Sequence, residues 1–101
     1  MFVRAQDRSL IMNMDRAATV TIIDTKTGLS RLKEYSDAGI QTVYEVEFYF
    51  PNNVWFYAAC YIDRQSAEDA LEALCDVIRD GRSYFEFPAD YKFMEVRNEG
   101  S

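Results

Sequence analysis

The sequence predicts an α+β fold: a bent antiparallel sheet or partial barrel of five to six strands, with one helix (about residues 63–80) packed across it. The first observation behind this prediction is a long hairpin, in which residues 42–50 and 54–62 flank the turn 51–53, Pro-Asn-Asn. Its first arm alternates between apolar and polar side chains, as a strand with one buried face does. The second observation is an amphipathic helix that follows the hairpin directly and can cover its apolar face.

The N-terminal part predicts three further strands. Residues 2–6 and 9–13 form a hairpin around Asp7 and Arg8, since an Asp side chain can bond nearby backbone N–H groups in a turn. Residues 14–18 form either an irregular link or one helical turn. Residues 19–23 are all β-branched, which is typical of a strand.

Residues 24–41 have the least regular pattern. A structureless loop of this length is uncommon in a compact domain. We therefore predict a short ordered element, with a strand or a functional loop as alternatives. A helix over residues 30–35 would turn Leu29 and Leu32 inward.

The second arm of the hairpin is apolar or aromatic on both faces. One face holds Val54, Phe56, Ala58, Cys60 and Ile62. The other face holds Trp55, Tyr57, Ala59 and Tyr61. Such a strand is either covered on both sides or meets a partner with its outer face. In the first arm, Glu45 and Glu47 share the outer face and are expected to contact solvent.

The helix is predicted to begin at a cap formed by Asp63 or Ser66 and to end before Gly81, which suits the C′ position. Its buried stripe has helical spacing and comprises Ala67, Ala70, Leu71, Leu74, Val77 and Ile78.

After the helix, residues 83–87 form a short strand that ends at Pro88. Residues 91–96 are a candidate for a last edge strand, and residues 97–101 are expected to fray. The whole chain, 1–101, is predicted to be a single domain.

The net charge of −6 is uneven: residues 1–62 carry 6 basic and 7 acidic side chains, whereas residues 63–101 carry 5 basic and 10 acidic ones. This balance argues against direct nucleic-acid binding, which depends on Lys and Arg neutralising phosphates.

No stretch approaches the ~20 apolar residues that span a membrane, and no signal peptide is visible, so we predict a cytoplasmic protein without membrane contact. Cys60 and Cys75 are predicted to be buried reduced thiols, with a disulfide as the alternative for a secreted chain.

The chain contains no histidine. Ser-His-Asp catalysis, Cys-His catalysis and every His-containing zinc site are therefore excluded. We predict no catalytic residue, no metal site and no cofactor. The one acid/base alternative is the pair Glu45 and Glu47, which lie about 6–7 Å apart if they occupy one strand face. An enzyme that uses this pair ranks below a binding protein.

Two groups of side chains are candidates for partner binding. The candidate interaction surface consists of Tyr49, Trp55, Tyr57 and Tyr61. Three explanations stay open for it: the chain's own N-terminal hairpin or tail covers these residues, they form a homodimer or partner interface, or they line a ligand pocket. Enrichment of Tyr and Trp at interface hot spots supports the second explanation.

The candidate acidic face lies on the outside of the helix and consists of Glu68, Asp69, Glu72 and Asp76. A solvated helix face is its ordinary explanation. Metal binding and mimicry of DNA phosphates are the alternatives, because acids at i and i+4 are about 6 Å apart along a helix, close to the spacing of strand phosphates.

Several short segments resemble small uncharacterised bacterial proteins that often lie near mobile genetic elements. They are the opening 2–7 (Phe-Val-Arg-Ala-Gln-Asp), the link 13–15, the Ala-x-x-Ala-Leu-x-x-Leu helix and the closing 84–88 (Tyr-Phe-Glu-Phe-Pro). The element order over 1–88 also resembles a truncated pleckstrin-homology-type barrel, which implies a C-terminal helix plugging a bent antiparallel sheet. The resemblance assigns no functional residue, and the basic loop of lipid-binding members is absent.

The sequence therefore predicts a small non-enzymatic protein-interaction module whose partner is a protein, first of all a second copy of itself. The alternative is an acidic inhibitor that occupies a nucleic-acid-binding protein, as phage-type anti-defence proteins and DNA mimics do.

Overall fold

A computed structural model describes the backbone of residues 1–99 and the side chains of residues 1–97. It confirms the α+β class, with six strands and three helices in this part of the chain. Of the predicted frayed tail 97–101, residues up to Glu99 belong to the last helix, whereas Gly100 and Ser101 lie outside the described residues.

Along the chain, the first helix follows the third strand, the second helix follows the fifth strand, and the third helix follows the sixth strand. The strands are β1 (Phe2–Arg4), β2 (Ile11–Asn13), β3 (Thr19–Lys26), β4 (Thr42–Phe50), β5 (Val54–Tyr61) and β6 (Tyr84–Glu86). The helices are α1 (Lys33–Asp37), α2 (Arg64–Arg79) and α3 (Tyr91–Glu99). Single helical turns lie at Met14–Arg16 and Ser30–Leu32, whereas the hairpin turn Pro51–Asn53 has positive φ at Asn52 (72°) and Asn53 (62°).

The strands form two open three-stranded sheets, where the sequence predicted one bent sheet or partial barrel. The small sheet has the order β2-β1-β6 and the large sheet the order β3-β4-β5. β1 runs parallel to β6, and the other neighbours are antiparallel. The chain leaves the small sheet at Gln6, whose backbone N–H donates to the Ala58 carbonyl of β5 over 2.7 Å. Because Gln6 bonds to the large sheet, β1 is shorter than predicted and the strands divide into two groups.

The core lies between the two sheets and α2. Val3 of β1, Phe48 of β4 and Leu74 of α2 are each 1% exposed or less. The same buried cluster also contains Ala5, Met12, Val46, Ala58, Ala59, Tyr61, Ala67, Ala70, Phe85 and Phe87. Both sheets and α2 therefore share one hydrophobic core.

Helix α2 agrees with the predicted helix to within one residue at each end. The Asp63 carboxylate accepts a hydrogen bond from the Ser66 N–H over 3.2 Å, which makes Asp63 the N-cap. Gly81 has a φ of 69°, and the Gly81 and Arg82 N–H groups donate to carbonyls of the last turn. This Schellman arrangement ends the helix and favours glycine at the position.

Residues 24–41 contain the short ordered element that the sequence predicted. β3 extends through Lys26, and the turn Ser30–Leu32 leads into α1. Leu32 is buried as expected, but Leu29 is 52% exposed, so the inward orientation predicted for Leu29 is wrong.

Helix α3 replaces the edge strand considered for residues 91–96. The buried Asp90 carboxylate caps it by accepting from the Phe93 N–H over 3.3 Å, and also accepts from the Ile62 N–H at the end of β5 over 2.8 Å. A single Asp thus starts a helix and ties it to the large sheet. Among the described residues, no helix is long and apolar enough to cross a membrane.

We expect Leu74→Ala to lower the free energy of unfolding by about 3 kcal/mol, because truncating a buried leucine leaves a cavity. Ile78→Ala on the same helix is the matched control. Ile78 was predicted in the buried stripe, but it is 48% exposed, so its truncation should cost less than about 1 kcal/mol. Urea unfolding followed by circular dichroism measures both values. Equal losses in the two variants would contradict the orientation of α2.

Candidate interaction surface

A β-bulge in β5 decides which side chains lie on the outer face of the large sheet, the face turned away from α2. Val46 pairs with Ala59 and Glu47 pairs with Tyr57, so Ala58 is an extra residue in β5. An extra residue moves all following side chains to the opposite face. The strict alternation predicted for β5 therefore ends at the bulge.

Tyr61, a predicted member of the candidate interaction surface, lies in the core instead. It is 2% exposed and pairs with Tyr44 on the inner face. Its hydroxyl donates to the Pro88 carbonyl over 2.8 Å, and burial raises the pKa of the phenol. The prediction was wrong because both faces of β5 are apolar, so a one-residue bulge leaves no mark in the hydrophobic pattern.

Glu45 lies on the outer face, yet it is 2% exposed, which corrects the expectation of a solvent-exposed carboxylate. Arg31 donates from its two terminal nitrogens to the two carboxylate oxygens, over 2.6 and 2.9 Å. Such bidentate pairs are among the strongest hydrogen-bonded contacts in proteins, and this hydrogen bond raises the pKa of Arg31. Arg31 was not among the predicted site residues. It precedes Glu45 by 14 residues and lies in a segment without a regular pattern, so the sequence carries no signal for this pair.

Glu47 is buried as well, although the sequence predicted it on a solvated face. Its neighbours on the adjoining strands are Thr21 and Tyr57. The Tyr49 hydroxyl donates to one Glu47 oxygen over 2.9 Å, and this hydrogen bond raises the pKa of Tyr49. The glutamate thereby holds the phenol of Tyr49 against the sheet.

A stack of side chains connects the Arg31–Glu45 pair to the end of the hairpin. The guanidinium carbon of Arg31 lies 4.0 Å from the ring centroid of Tyr57, within the range of a cation–π contact. Burial raises the pKa of Tyr57, and the charge of Arg31 offsets part of this rise. Tyr57 in turn meets the ring of Trp55 edge to face, with centroids 4.8 Å apart.

Four side chains around the β4–β5 turn stay exposed, and we call them the aromatic end: Tyr49, Val54, Trp55 and Phe56. Each exposes between 37% and 46% of its surface. The strand register places Tyr49 and Trp55 on the outer face and Val54 and Phe56 on the inner face. Phe50 supports the inner side, with its ring centroid 5.8 Å from that of Phe56.

The chain itself covers the other half of the outer face, but mainly with a segment that was not among the predicted covers. Arg31 and Leu32 lie with Glu45 and Tyr57 around one pocket, and Gln6 of the predicted N-terminal hairpin contributes to its lining. Tyr35 of α1 extends this cover and stacks on Phe93 of α3, with centroids 4.3 Å apart. The C-terminal tail therefore contributes through α3, and the aromatic end lies beyond the covered half.

The candidate acidic face is exposed as predicted, but its acids have partners within α2. Arg64 binds Glu68 over 3.1 Å, and Arg79 binds both Glu72 (3.1 Å) and Asp76 (3.0 Å). Asp69 accepts a hydrogen bond from the Gln65 amide over 2.8 Å. The face is therefore less negative than its four carboxylates alone suggest.

A pocket of about 340 Å³ opens beside Arg31 and Glu45, and Gln6, Tyr35 and Cys60 contribute to its lining. Cys60 is a free thiol, and burial raises its pKa to about 12. Because the thiolate is the reactive form of cysteine, this thiol is a poor nucleophile near neutral pH. The second cysteine, Cys75, is also free.

In the part of the chain that the structure describes, no group of three or more Cys, Asp or Glu side chains is placed to hold a metal ion.

Comparison with protein-family models, curated proteins and solved structures found no match. The resemblance to bacterial proteins near mobile elements stays a prediction.

We expect Arg31→Met to lower the free energy of unfolding by about 2 kcal/mol, because it leaves the Glu45 carboxylate buried without a cation. This is below the about 3–5 kcal/mol typical of fully buried pairs, since the Arg31 side chain is 37% exposed. Adding Glu45→Leu should recover most of the loss. The exposed pair Lys33 and Asp37 is the control: Lys33→Met should leave the free energy of unfolding almost unchanged. Urea unfolding of the wild-type chain and the three variants is the measurement, and no recovery in the double variant would contradict this account.

In a Cys75→Ser variant, where Cys60 is the remaining thiol, we expect slow labelling of the folded chain at about pH 8. A pKa of about 12 leaves little thiolate, so a chromogenic disulfide reagent should react at least ~100-fold more slowly than it does with the same variant in urea. Equal rates in the two conditions would show that Cys60 is neither buried nor shifted.

Proposed function

We propose that this chain is a small non-enzymatic protein-interaction module that self-associates through its aromatic end. The observation that carries the proposal is the exposure of Trp55 together with Tyr49, Val54 and Phe56 at the end of one hairpin. Large apolar side chains exposed together in this way are typical of interaction sites. Trp and Tyr are also the side chains most enriched at interface hot spots.

The support beneath the aromatic end favours binding. The rings of Trp55 and Tyr57 are held by their mutual packing and by the Arg31–Glu45 pair, and the Tyr49 phenol is held by Glu47. Side chains that are already ordered lose less conformational entropy when a partner arrives. Such pre-organisation is expected of a contact surface and has no other evident use at a hairpin tip.

The same contacts weigh against the two alternatives. Both oxygens of Glu45 are engaged by Arg31, which leaves this carboxylate poorly placed to exchange protons with a substrate. Glu68, Glu72 and Asp76 are paired with arginines of their own helix, which weakens their attraction for a basic partner. A second copy of the chain needs neither a free acid nor a net charge of opposite sign.

We expect Trp55→Ser to weaken self-association at least ~10-fold, because it removes the largest side chain of the aromatic end. Tyr84→Ser is the matched control, since Tyr84 and Trp55 are both 46% exposed and Tyr84 lies on the small sheet. Sedimentation equilibrium from micromolar to millimolar concentration measures the association constant of each variant.

The emission of Trp55 provides a second readout, because it is the sole tryptophan of the chain. Its maximum should shift to shorter wavelength as concentration rises, since association removes the indole from water. A wild-type chain without concentration-dependent change in Trp55 emission, or equal weakening by the two serine variants, would refute the aromatic end as the contact.

A further inference from the structure

β3 is an edge strand that is open along its whole length in the described part of the chain. It spans Thr19–Lys26 and pairs with β4 along its whole length, but it has no neighbour on its other side. No main-chain hydrogen bond from that side reaches another described residue.

The register of β3 shows which main-chain groups point to the open edge. Thr27 N–H donates to the Gln41 carbonyl, in continuation of the pairing of Lys26 with Thr42. In an antiparallel ladder every second residue bonds to a given neighbour. Thr21, Ile23 and Thr25 therefore bond to β4, whereas the N–H and C=O groups of the even-numbered positions point outward; these are Val20, Ile22, Asp24 and Lys26.

The remaining sheet edges are protected in ways that β3 is not. Gln6 occupies part of the free side of β5, where it donates to the Ala58 carbonyl and accepts from the Cys60 N–H over 2.9 Å, so the open part of this edge is confined to the residues next to the turn. The edge strands of the small sheet, β2 and β6, have only three residues each. Edge strands are commonly protected by a cover or by shortness, and β3 has eight residues.

The sequence of β3 favours pairing with another strand. Thr-Val-Thr-Ile-Ile-Asp-Thr-Lys contains no proline, and five of its first seven residues are Thr or Ile. β-Branched side chains are the ones best suited to cross-strand packing. Its two charges, Asp24 and Lys26, both lie in the second half and leave the centre apolar.

We propose that β3 pairs with β3 of a second copy in an antiparallel, two-fold symmetric arrangement. This contact goes beyond the aromatic end and is separate from it. The register that we infer places Ile23 opposite the second copy's Ile23, and Thr21 opposite its Thr25. The outward groups of Ile22 and Asp24 then bond to Asp24 and Ile22 of the other copy, within a ladder of about eight hydrogen bonds.

Charge and length select this register over its neighbours. A shift that centres the pairing on Asp24 would put two carboxylates directly opposite each other, which is unfavourable. Centring it on Thr25 would pair Asp24 with the second copy's Lys26, but at the cost of the overlap of Val20 and Ile22. Centring on Ile23 separates the like charges and places Ile23 opposite the second copy's Ile23 on the outer face.

The second copy is the occupant that these observations favour, because the apolar centre of β3 is its own complement and a two-fold axis requires no further surface. One strand pair buries less than the about 1,200 Å² of stable complexes, so the contact is expected to be weak. With the aromatic end as a second self-contact, the wild-type chain should form species larger than dimers at high concentration.

The decisive experiment uses the Trp55→Ser chain, in which the aromatic contact is weakened and the β3 contact can be measured alone. Adding Asp24→Pro removes one outward N–H and leaves the bonds to β4 intact, because proline is tolerated where an edge strand faces solvent. Asp24→Ala in the same background removes the same carboxylate but keeps the N–H. At millimolar concentration, we expect dimers for Trp55→Ser alone and with Asp24→Ala, and monomers with Asp24→Pro.

Residue-resolved amide exchange by NMR tests the contact without a substitution in β3. In the Trp55→Ser chain, the Ile22 and Asp24 amides should exchange at least ~10-fold more slowly at millimolar than at micromolar concentration, whereas the Ile23 amide should be protected at both. Unchanged exchange at Ile22 and Asp24 would overturn the proposal, even if Asp24→Pro unfolds the chain. Protection by an added extended peptide but not by higher concentration would also overturn it.

The two proposals fail in different ways. If the aromatic end is not a contact, Trp55→Ser leaves association unchanged while Asp24→Pro still abolishes it. If β3 does not pair, Trp55→Ser alone yields monomers at millimolar concentration.

Discussion

The arrangement of both sheets depends on the hydrogen bonds of Gln6. Its N–H and side-chain oxygen bond to Ala58, the extra residue of the bulge in β5, and to Cys60, and its side-chain amide donates to the Pro88 carbonyl over 3.0 Å. One residue thus joins the small sheet, the large sheet and the segment after β6. Gln6 also satisfies the Ala58 carbonyl and the Cys60 N–H, which have no strand partner on that side of β5. Leaving such backbone groups buried without a hydrogen bond would be costly. The bulge determines which side chains of β5 lie on the outer face, and the hydrogen bond from Gln6 to Ala58 holds the bulge in place.

Local patterns were sufficient for the elements that carry their own signals. The cap at Asp63, the stripe from Ala67 to Leu74 and the glycine at Gly81 define α2, and strict alternation defines β4. The errors concern features that depend on distant parts of the chain. Asp90 starts α3 partly because it also bonds the end of β5, and Gln6 ends β1 because β5 offers it two partners. Neither partner can be identified from the neighbouring sequence.

The candidate surface was predictable in part, for similar reasons. Tyr49, Trp55 and Tyr57 share the outer face as expected, since they precede the bulge. Tyr61 follows it and turns into the core. The burial of Glu45 could not be read from the strand, because it depends on Arg31 from a segment whose pattern was irregular. Charged residues on an aromatic strand face indicate either solvent or a buried partner, and only tertiary structure distinguishes the two.

The parallel pairing of β1 with β6 joins the second residue of the chain to residue 84. The loop that must close is therefore nearly the whole molecule, and contacts of such high sequence separation slow folding. On the ribosome the small sheet cannot form until β6 has emerged, whereas the β3–β4–β5 meander can assemble earlier from local contacts. During that interval the inner face of the meander lacks its cover from β1 and Phe85, and transiently exposed apolar surface of this kind is prone to aggregation.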